Sequence, residues 1–481
     1  MSSVKKNFGY NLVLTLANYL FPLIVYPYIS RVLGVEKIGV CNFVDSIINF
    51  FVIFSQLGVG SYGVREIARC REDKERLNKV FSNLWFINLM TFSMAVSALI
   101  VCTFSLDSLS SYKQFLLVGV FKLLFSLFLI EWLFQGIEQF RYITIRSVVV
   151  RLLYVVSVFL LVHSQEDALV YYTLTVLTIF FNAVLNWRYS RRFVRLSYHE
   201  LSIGVFIVPI LVFGYYRILT SMYVNFNVMF LGFTTDNVQV GYFSTATKLY
   251  SIILSVFTAF TTVMIPRVSF MLEKGQLSEL QNTIDRIIPL LLALTIPVMV
   301  FCVFNASTII FVIAGKGYEG AIYPFCIVMV LLLIVGLEQI VIQQFIMASK
   351  KSKYVFIVST AGAVIGVLCN IILTPKMGAI GSSISWAISE MCVLSIGVFI
   401  LNRYFNIKIH LKSFLVAFLT VLPYLAVLFL IRSFVDNIWL RLVLSFLCIS
   451  LSFILFNFYL FKNQDVVSIS VAVLRKVGLK S

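Results

Sequence analysis

The sequence predicts an all-α, polytopic membrane protein with about 14 transmembrane helices. Three observations carry that reading. Of 481 residues, 60% are apolar and only 12% charged, against roughly 45–50% and about 25% in soluble domains. Fourteen runs are apolar enough to cross a bilayer, which takes about 20 residues each. The 38 Lys and Arg are sorted between alternate connecting segments. Too few polar residues remain to clothe a soluble enzyme, and the low charge excludes a disordered chain. Eight Cys with no CxxC spacing exclude a disulfide scaffold.

In chain order the runs are 10–32, 38–60, 80–104, 115–137, 147–163, 168–187, 204–231, 240–265, 287–313, 320–346, 354–374, 378–401, 413–432 and 438–461. Lys5 and Lys6 precede a full-length first run with no small-residue cleavage site, so it reads as a span rather than a signal peptide. Run 147–163 is the shortest and 38–60 the most polar. Segments 61–79 and 266–286 read as short amphipathic helices between spans. REIARCREDKERLNK (65–79) carries both signs, as a solvated face does.

Basic residues collect on the cytoplasmic side of short loops. With the N-terminus inside, 28 of the 38 fall in inner segments and 6 in outer loops: Arg31, Lys37, Lys113, Lys316, Lys376 and Arg432. Three of the inner 28 lie at 141–151. Lys122, Arg217, Lys248 and Arg441 lie within spans. The asymmetry predicts both termini in the cytoplasm and an even number of spans. It also accounts for the net charge of +17; nucleic-acid binding would need a concentrated basic face, not eight dispersed loops.

VLGVEKIGVCNF (32–43) resembles FLGFTTDNVQVGYFS (230–244), with Gly34 opposite Gly232 and Gly39 opposite Gly241. The two hairpins share an orientation and lie six helices apart, as in parallel-repeat transporters. The chain therefore divides into an N-terminal six-helix bundle at 1–200, a C-terminal six-helix bundle at 201–410, and two additional helices with a tail at 411–481.

Polar residues inside spans carry the functional information. Span 8 aligns Lys248, Ser251, Ser255, Thr258 and Thr262 on one face, and span 2 aligns Asn42, Asp45, Asn49 and Gln56. Span 1 adds Asn11, Thr15 and Asn18. Such stripes face protein or water, either as helix–helix contacts or as a wet cavity wall. Arg217 falls near the middle of its span, and Lys248 and Lys122 fall nearer span ends. A central cation costs on the order of 3 kcal/mol. It is either paired with Asp45, Glu131, Glu338 or Glu390, or held for an anionic substrate. Arg217 is the best candidate, since guanidinium stays charged and binds phosphate bidentately. Lys122 could also snorkel outward. Arg31, Asn42 and Asn49 complete the candidate substrate set with Ser251 and Ser255. The four carboxylates Asp45, Glu131, Glu338 and Glu390 are candidates for coupling protons or sodium. His163, His199 and His410 fall in separate loops and suggest no metal site.

SYGVREIAR (61–69) resembles the YGxREIAR-type loop of polysaccharide repeat-unit flippases of the O-antigen, or Wzx, type. LTPKMGAIGSSISWAISE (373–390) resembles their PxxGxxGAAxAxxxSE stretch, and the opening hairpin with Pro22, Arg31, Leu33, Gly34 and Gly39 is similar as well. Length, helix count and orientation extend the likeness over the whole chain. The resemblance implies two six-helix bundles in a V plus two helices, the architecture shared with multidrug and toxin extrusion exporters and lipid II flippases. It implies a non-enzyme of the bacterial inner membrane, without cofactor. The substrate it implies is an undecaprenyl-pyrophosphate-linked oligosaccharide, moved from inner to outer leaflet through a cationic cavity by ion-driven alternating access. A polysaccharide polymerase and chain-length regulator are the implied protein partners, with membrane lipids around them. The internal repeat sets Ser46 opposite Lys248, so the basic site would be asymmetric. Two rivals remain. A cation-coupled small-molecule exporter would favour acids over central cations. A membrane polymerase or ligase would need a large outer loop, and here no outer loop exceeds about ten residues.

Overall fold

The computed structural model describes residues 2–197, 201–221, 225–347, 349, 352–405, 407–409, 414, 415 and 418–459, with the backbone alone for 2–5, 8, 259–263, 265–267, 277, 352 and 454–459. His199, His410, the side chain of Thr262 and the tail lysines therefore lie outside the described residues. Among the described residues the chain is helical, with no strand. The helices are α1 (Ser2–Gln56), α2 (Val59–Cys70), α3 (Lys74–Ser105), α4 (Lys113–Leu127), α5 (Glu131–Gly136), α6 (Phe140–Leu161), α7 (Ala168–Ser190) and α8 (Ile203–Ser221). They continue with α9 (Asn225–Thr234), α10 (Asn237–Glu273), α11 (Leu277–Phe304), α12 (Ala306–Ala314), α13 (Ile322–Glu338), α14 (Ser352–Phe405), α15 (Val421–Phe434) and α16 (Ile438–Tyr459).

Among the described residues, ten helical stretches are long and apolar enough to cross a membrane, and Val421–Phe434 and Ile438–Phe453 are shorter apolar helices. Large apolar side chains cover their outer faces, among them Met94 (73% exposed) and Val205 (72%). Water would penalise such a surface, whereas lipid accommodates it. The chain is a multi-pass integral membrane protein. Two stretches contain an internal break. Gly34 takes φ 74°, ψ 170° inside α1, and Gly378 takes φ 55°, ψ −131° inside α14. Without a Cβ, glycine reaches these angles at no steric cost. The runs expected at 10–32 and 38–60, and at 354–374 and 378–401, are thus the two arms of α1 and of α14.

The sequence also sets where helices begin. The Asp73 carboxylate accepts from the Glu75 and Arg76 N–H groups, each at 3.1 Å, and starts α3. Ser164 and Asp167 form a reciprocal capping box ahead of α7.

Contacts divide the chain into two compact units. One comprises Met1–Ser244, Ile313–Gly317 and Gly366–Ser382; the other comprises Thr245–Val312, Tyr318–Ile365 and Ser383–Ser481. In the first, α1 packs against α3, α4, α6 and α9. Its core gathers Ile67, Leu84, Trp85, Trp132, Leu133 and Phe134. The indole of Trp132 lies where a Cβ on Gly63 would sit, 2.8 Å from Cε3. The Tyr-Gly pair of the 61–69 motif therefore lets α2 close on α5. In the second unit α11 packs against α13, α15 and α16.

Three expectations need correction. The span expected at 147–163 begins at Phe140, so Arg141, Arg146 and Arg151 are helical rather than loop residues. The span expected at 115–137 is broken, with Ile130 in a left-handed conformation (φ 35°, ψ 34°) between α4 and α5. Segment 266–286 is not a separate helix: α10 runs to Glu273, Gly275 turns at φ 66°, and α11 starts at Leu277.

Candidate functional site

The first unit encloses a cavity of about 500 Å³ lined by α1, α2, α3, α4, α5, α7 and α8. Local sequence sets its walls. Span 2 ends at Leu57 (φ 40°), and α2 restarts after Gly58. Gly58 packs against α8 at Gly214: a Cβ there would stand 2.3 Å from the Ile210 carbonyl oxygen and 2.7 Å from the Gly214 nitrogen. Arg217 follows Gly214 by three residues, nearly one turn, and so reaches the same face. Its guanidinium lies 3.2 Å from where a Gly60 Cβ would be. The crossing of two glycines thus delivers Arg217 to the start of α2.

That start carries no side-chain cap, because Gly58 has none to offer. The first-turn N–H groups of a helix lack internal partners and carry about half a positive charge. Val59, Gly60 and Ser61 line the cavity. Across from them stand Asn49, Gln56, Asn88, Lys122, Ser126, Glu131 and Gln135. Asn88 is 4% exposed and its Oδ1 has no partner.

The charges at the cavity do not contribute equally. Lys122 Nζ binds Asp45 Oδ1, and Asn49 Nδ2 donates to Asp45 Oδ2 at 3.0 Å. Glu131 Oε1 accepts from Arg146 Nη2 at 2.6 Å. Arg146 also reaches Asn186 Oδ1, and Asn186 Nδ2 donates to the Leu129 carbonyl. This network holds the α4–α5 break in place. Each acid is therefore matched by a base. Among the described residues the Arg217 guanidinium has no carboxylate partner. Arg217 and the α2 terminus thus bring the cavity positive charge that is not paired with a carboxylate.

The structure brings Arg217, Lys122, Asn49 and Glu131 to one cavity, with Asp45 behind Lys122. Other candidates lie elsewhere. Arg31 is exposed at the end of an α1 arm and donates to the Pro27 carbonyl at 2.7 Å. Asn42 donates to the Ile38 carbonyl of its own helix at 2.8 Å. Lys248, Ser251, Ser255, Glu338 and Glu390 belong to the second unit. There Ser251 and Ser255 donate to the Thr247 and Ile252 carbonyls of α10 itself. Sequence reasoning missed Gly60, Ser61, Asn88, Ser126, Gln135 and Arg146. Asn88 and Ser126 were visible as polar residues within apolar runs. Arg146 was hidden by its count as a loop charge.

Among the described residues, no group of His, Cys, Asp and Glu could hold a metal. Fixed amides, hydroxyls and the Arg217 guanidinium, which has no carboxylate partner among the described residues, thus line one cavity of a membrane protein. The sequence model of the family described as "Polysaccharide biosynthesis protein" matches residues 4–272, and the chain belongs to that family. A protein of Escherichia coli (strain K12) named "Putative O-antigen transporter" is 23% identical over 411 residues, covering 82% of this chain and 95% of that protein. A Shigella dysenteriae protein of the same name is 24% identical over 269 residues, covering 55% and 67%. Among solved structures, the lipid II flippase MurJ in an inward closed conformation matches with a TM-score of 0.75, covering 95% of this chain and 100% of that one at 17% identity. An outward-facing multidrug resistance MATE family transporter matches at 0.58, covering 84% and 95% at 16% identity. The two solved structures, at 17% and 16% identity, share the fold of this chain.

Proposed function

We propose that this chain translocates undecaprenyl-pyrophosphate-linked oligosaccharide repeat units from the inner to the outer leaflet of the bacterial inner membrane, by ion-coupled alternating access. Fourteen crossings follow if the breaks at Gly34 and Gly378 divide two of the ten apolar stretches and the two shorter helices also span. Bundles at 1–200 and 201–410, followed by 411–481, and cytoplasmic termini belong to the same proposal.

The observation that carries the reading is the uncompensated Arg217 guanidinium beside the uncapped start of α2. A pyrophosphate and its sugars cannot enter hydrocarbon without replacing the hydrogen bonds they make to water. Asn49, Gln56, Asn88, Ser126 and Gln135 supply such bonds along the cavity. Arg217 supplies the counter-charge. Hydrogen bonds to charged groups contribute about 1.5–3 kcal/mol each, so a bidentate phosphate offsets the roughly 3 kcal/mol cost of a central guanidinium. A cationic drug would instead need a spare carboxylate, and Asp45 and Glu131 are both engaged by bases.

Replacing Arg217 tests this in cells lacking the chromosomal copy. Arg217→Ala should abolish surface polysaccharide while the protein remains in the membrane, and Arg217→Lys should retain part of it. Normal polymer from Arg217→Ala would refute the assignment.

A further inference from the structure

The first unit carries a second concavity, of about 600 Å³, between α4 and α7. On α4 it takes Leu124, Phe125 and Phe128, the face opposite Lys122 and Ser126 of the Arg217 cavity. On α7 it takes Phe180, Ala183, Val184 and Trp187, one stripe at spacings of three and four. Ala183, 2% exposed, is the small residue that leaves room between the Phe180 and Trp187 rings. Those rings are held in place. Phe125 packs on Phe180 with centroids 4.8 Å apart, and Phe128 meets Trp187 edge-on at 5.2 Å. Trp85 of α3 backs Trp187 at 5.5 Å. An apolar chain laid here meets a floor that is already ordered, so few side chains lose freedom on binding.

Charge marks one end of this groove. Arg188, in the last turn of α7, and Arg191, which follows its end, complete the lining. Both are exposed, and among the described residues neither forms an ion pair. No Asp or Glu occurs between Ala168 and Ser197, whereas Arg192 and Arg195 add to the same stretch. Arg192 stacks on Tyr189, 5.1 Å from its ring centroid. Trp and Tyr at the end of a span sit at headgroup level. Trp187 and Tyr189 therefore put Arg188 and Arg191 where lipid phosphates lie. The free carbonyls at the end of α7 repel an anion, so the attraction must come from the guanidinium groups, which bind phosphate bidentately. Neither arginine lines the Arg217 cavity.

We propose that this groove binds one anionic phospholipid of the phosphatidylglycerol type. Its phosphate lies on Arg188 and Arg191, and one acyl chain lies on the floor of Phe125, Phe128, Phe180 and Trp187. Basic pockets between membrane helices select anionic headgroups in this way. A phosphatidylcholine would bring its ammonium group among four arginines and is disfavoured. Free phosphate would leave the aromatic floor unfilled.

Trp187 reports on the site, because bromine atoms on an acyl chain quench indole fluorescence on contact. The full-length protein is placed in liposomes, and brominated phosphatidylglycerol is compared with brominated phosphatidylcholine at equal mole fraction. Phosphatidylglycerol should quench the wild type more strongly, and unlabelled phosphatidylglycerol should reverse the excess. Replacing Arg188→Gln and Arg191→Gln together should weaken the apparent affinity about tenfold. Both side chains are exposed, so the fold is kept. Trp187→Phe should remove most of the excess. Equal quenching of the wild type by the two lipids would overturn the proposal and leave the groove to a protein partner. Reversal of the excess by inorganic phosphate, or more readily by undecaprenyl phosphate than by phosphatidylglycerol, would also overturn it. So would an excess that survives the double Gln variant or Trp187→Phe. The wild-type comparison decides even where a variant fails to fold.

Discussion

Arg217 was legible in the sequence because an ionisable residue deep in an apolar run has no cheap explanation. Its neighbours were not. Lys122 and Asp45 are separated by 77 positions and meet only through the packing of α1 on α4. The pair implies a specific thermodynamic outcome. Removing one partner of a buried ion pair costs about 3–5 kcal/mol. The Asp45 side chain is 34% exposed, so solvent screening lowers the expected loss to about 1–2 kcal/mol. Lys122→Gln and Asp45→Asn should each lower the unfolding temperature in detergent, and the double variant should lose less than the sum. Strictly additive losses would mean that the contact contributes nothing.

At the scale of elements, helices with chemical punctuation were readable and those without it were not. The breaks in α1 and α14 fall at glycines that stand out in VLGVEKIGV and PKMGAIG. The break between α4 and α5 falls at Phe128-Leu129-Ile130, which has neither Gly nor Pro, and puts a β-branched residue at positive φ. Such a conformation costs of order 1–3 kcal/mol and persists only where the surroundings impose it. Here the imposing groups are Asn186, which binds the Leu129 carbonyl, and the Arg146–Glu131 pair beneath it. Hydropathy could not reveal them, since Arg146 sits where the apolar run has not yet begun. Asn186→Ala should leave both the Leu129 carbonyl and Arg146 short of a partner, costing about 1–3 kcal/mol. Thermal unfolding measures this directly, and protease sensitivity near residue 130 should rise with it. An Asn186→Ala protein as stable as the wild type would show that the break is held by packing alone.

For the whole molecule, composition and charge distribution were sufficient for the class: 60% apolar residues leave no alternative to a membrane protein. The motif at 61–69 falls within residues 4–272, which match the family described as "Polysaccharide biosynthesis protein", whereas the one at 373–390 lies outside that match. The packing role of those motifs emerged only in three dimensions. Gly63 receives Trp132, and Gly378 breaks a helix whose next residue, Ala379, donates its N–H to Gln239 Oε1 at 3.0 Å. The cavity could not be read from the chain because its polar groups come from six helices that are far apart in sequence. Under the proposed function, Arg217 accompanies a lipid-linked anionic glycan across the membrane. The most direct measurement places purified protein in liposomes containing a lipid-pyrophosphate-linked oligosaccharide and follows its exposure to an external glycan-cleaving enzyme. Protein-dependent exposure that an ion gradient accelerates and that Arg217→Ala abolishes is the expected result. Exposure at the protein-free rate with a cognate substrate, alongside gradient-driven efflux of small cations, would contradict it.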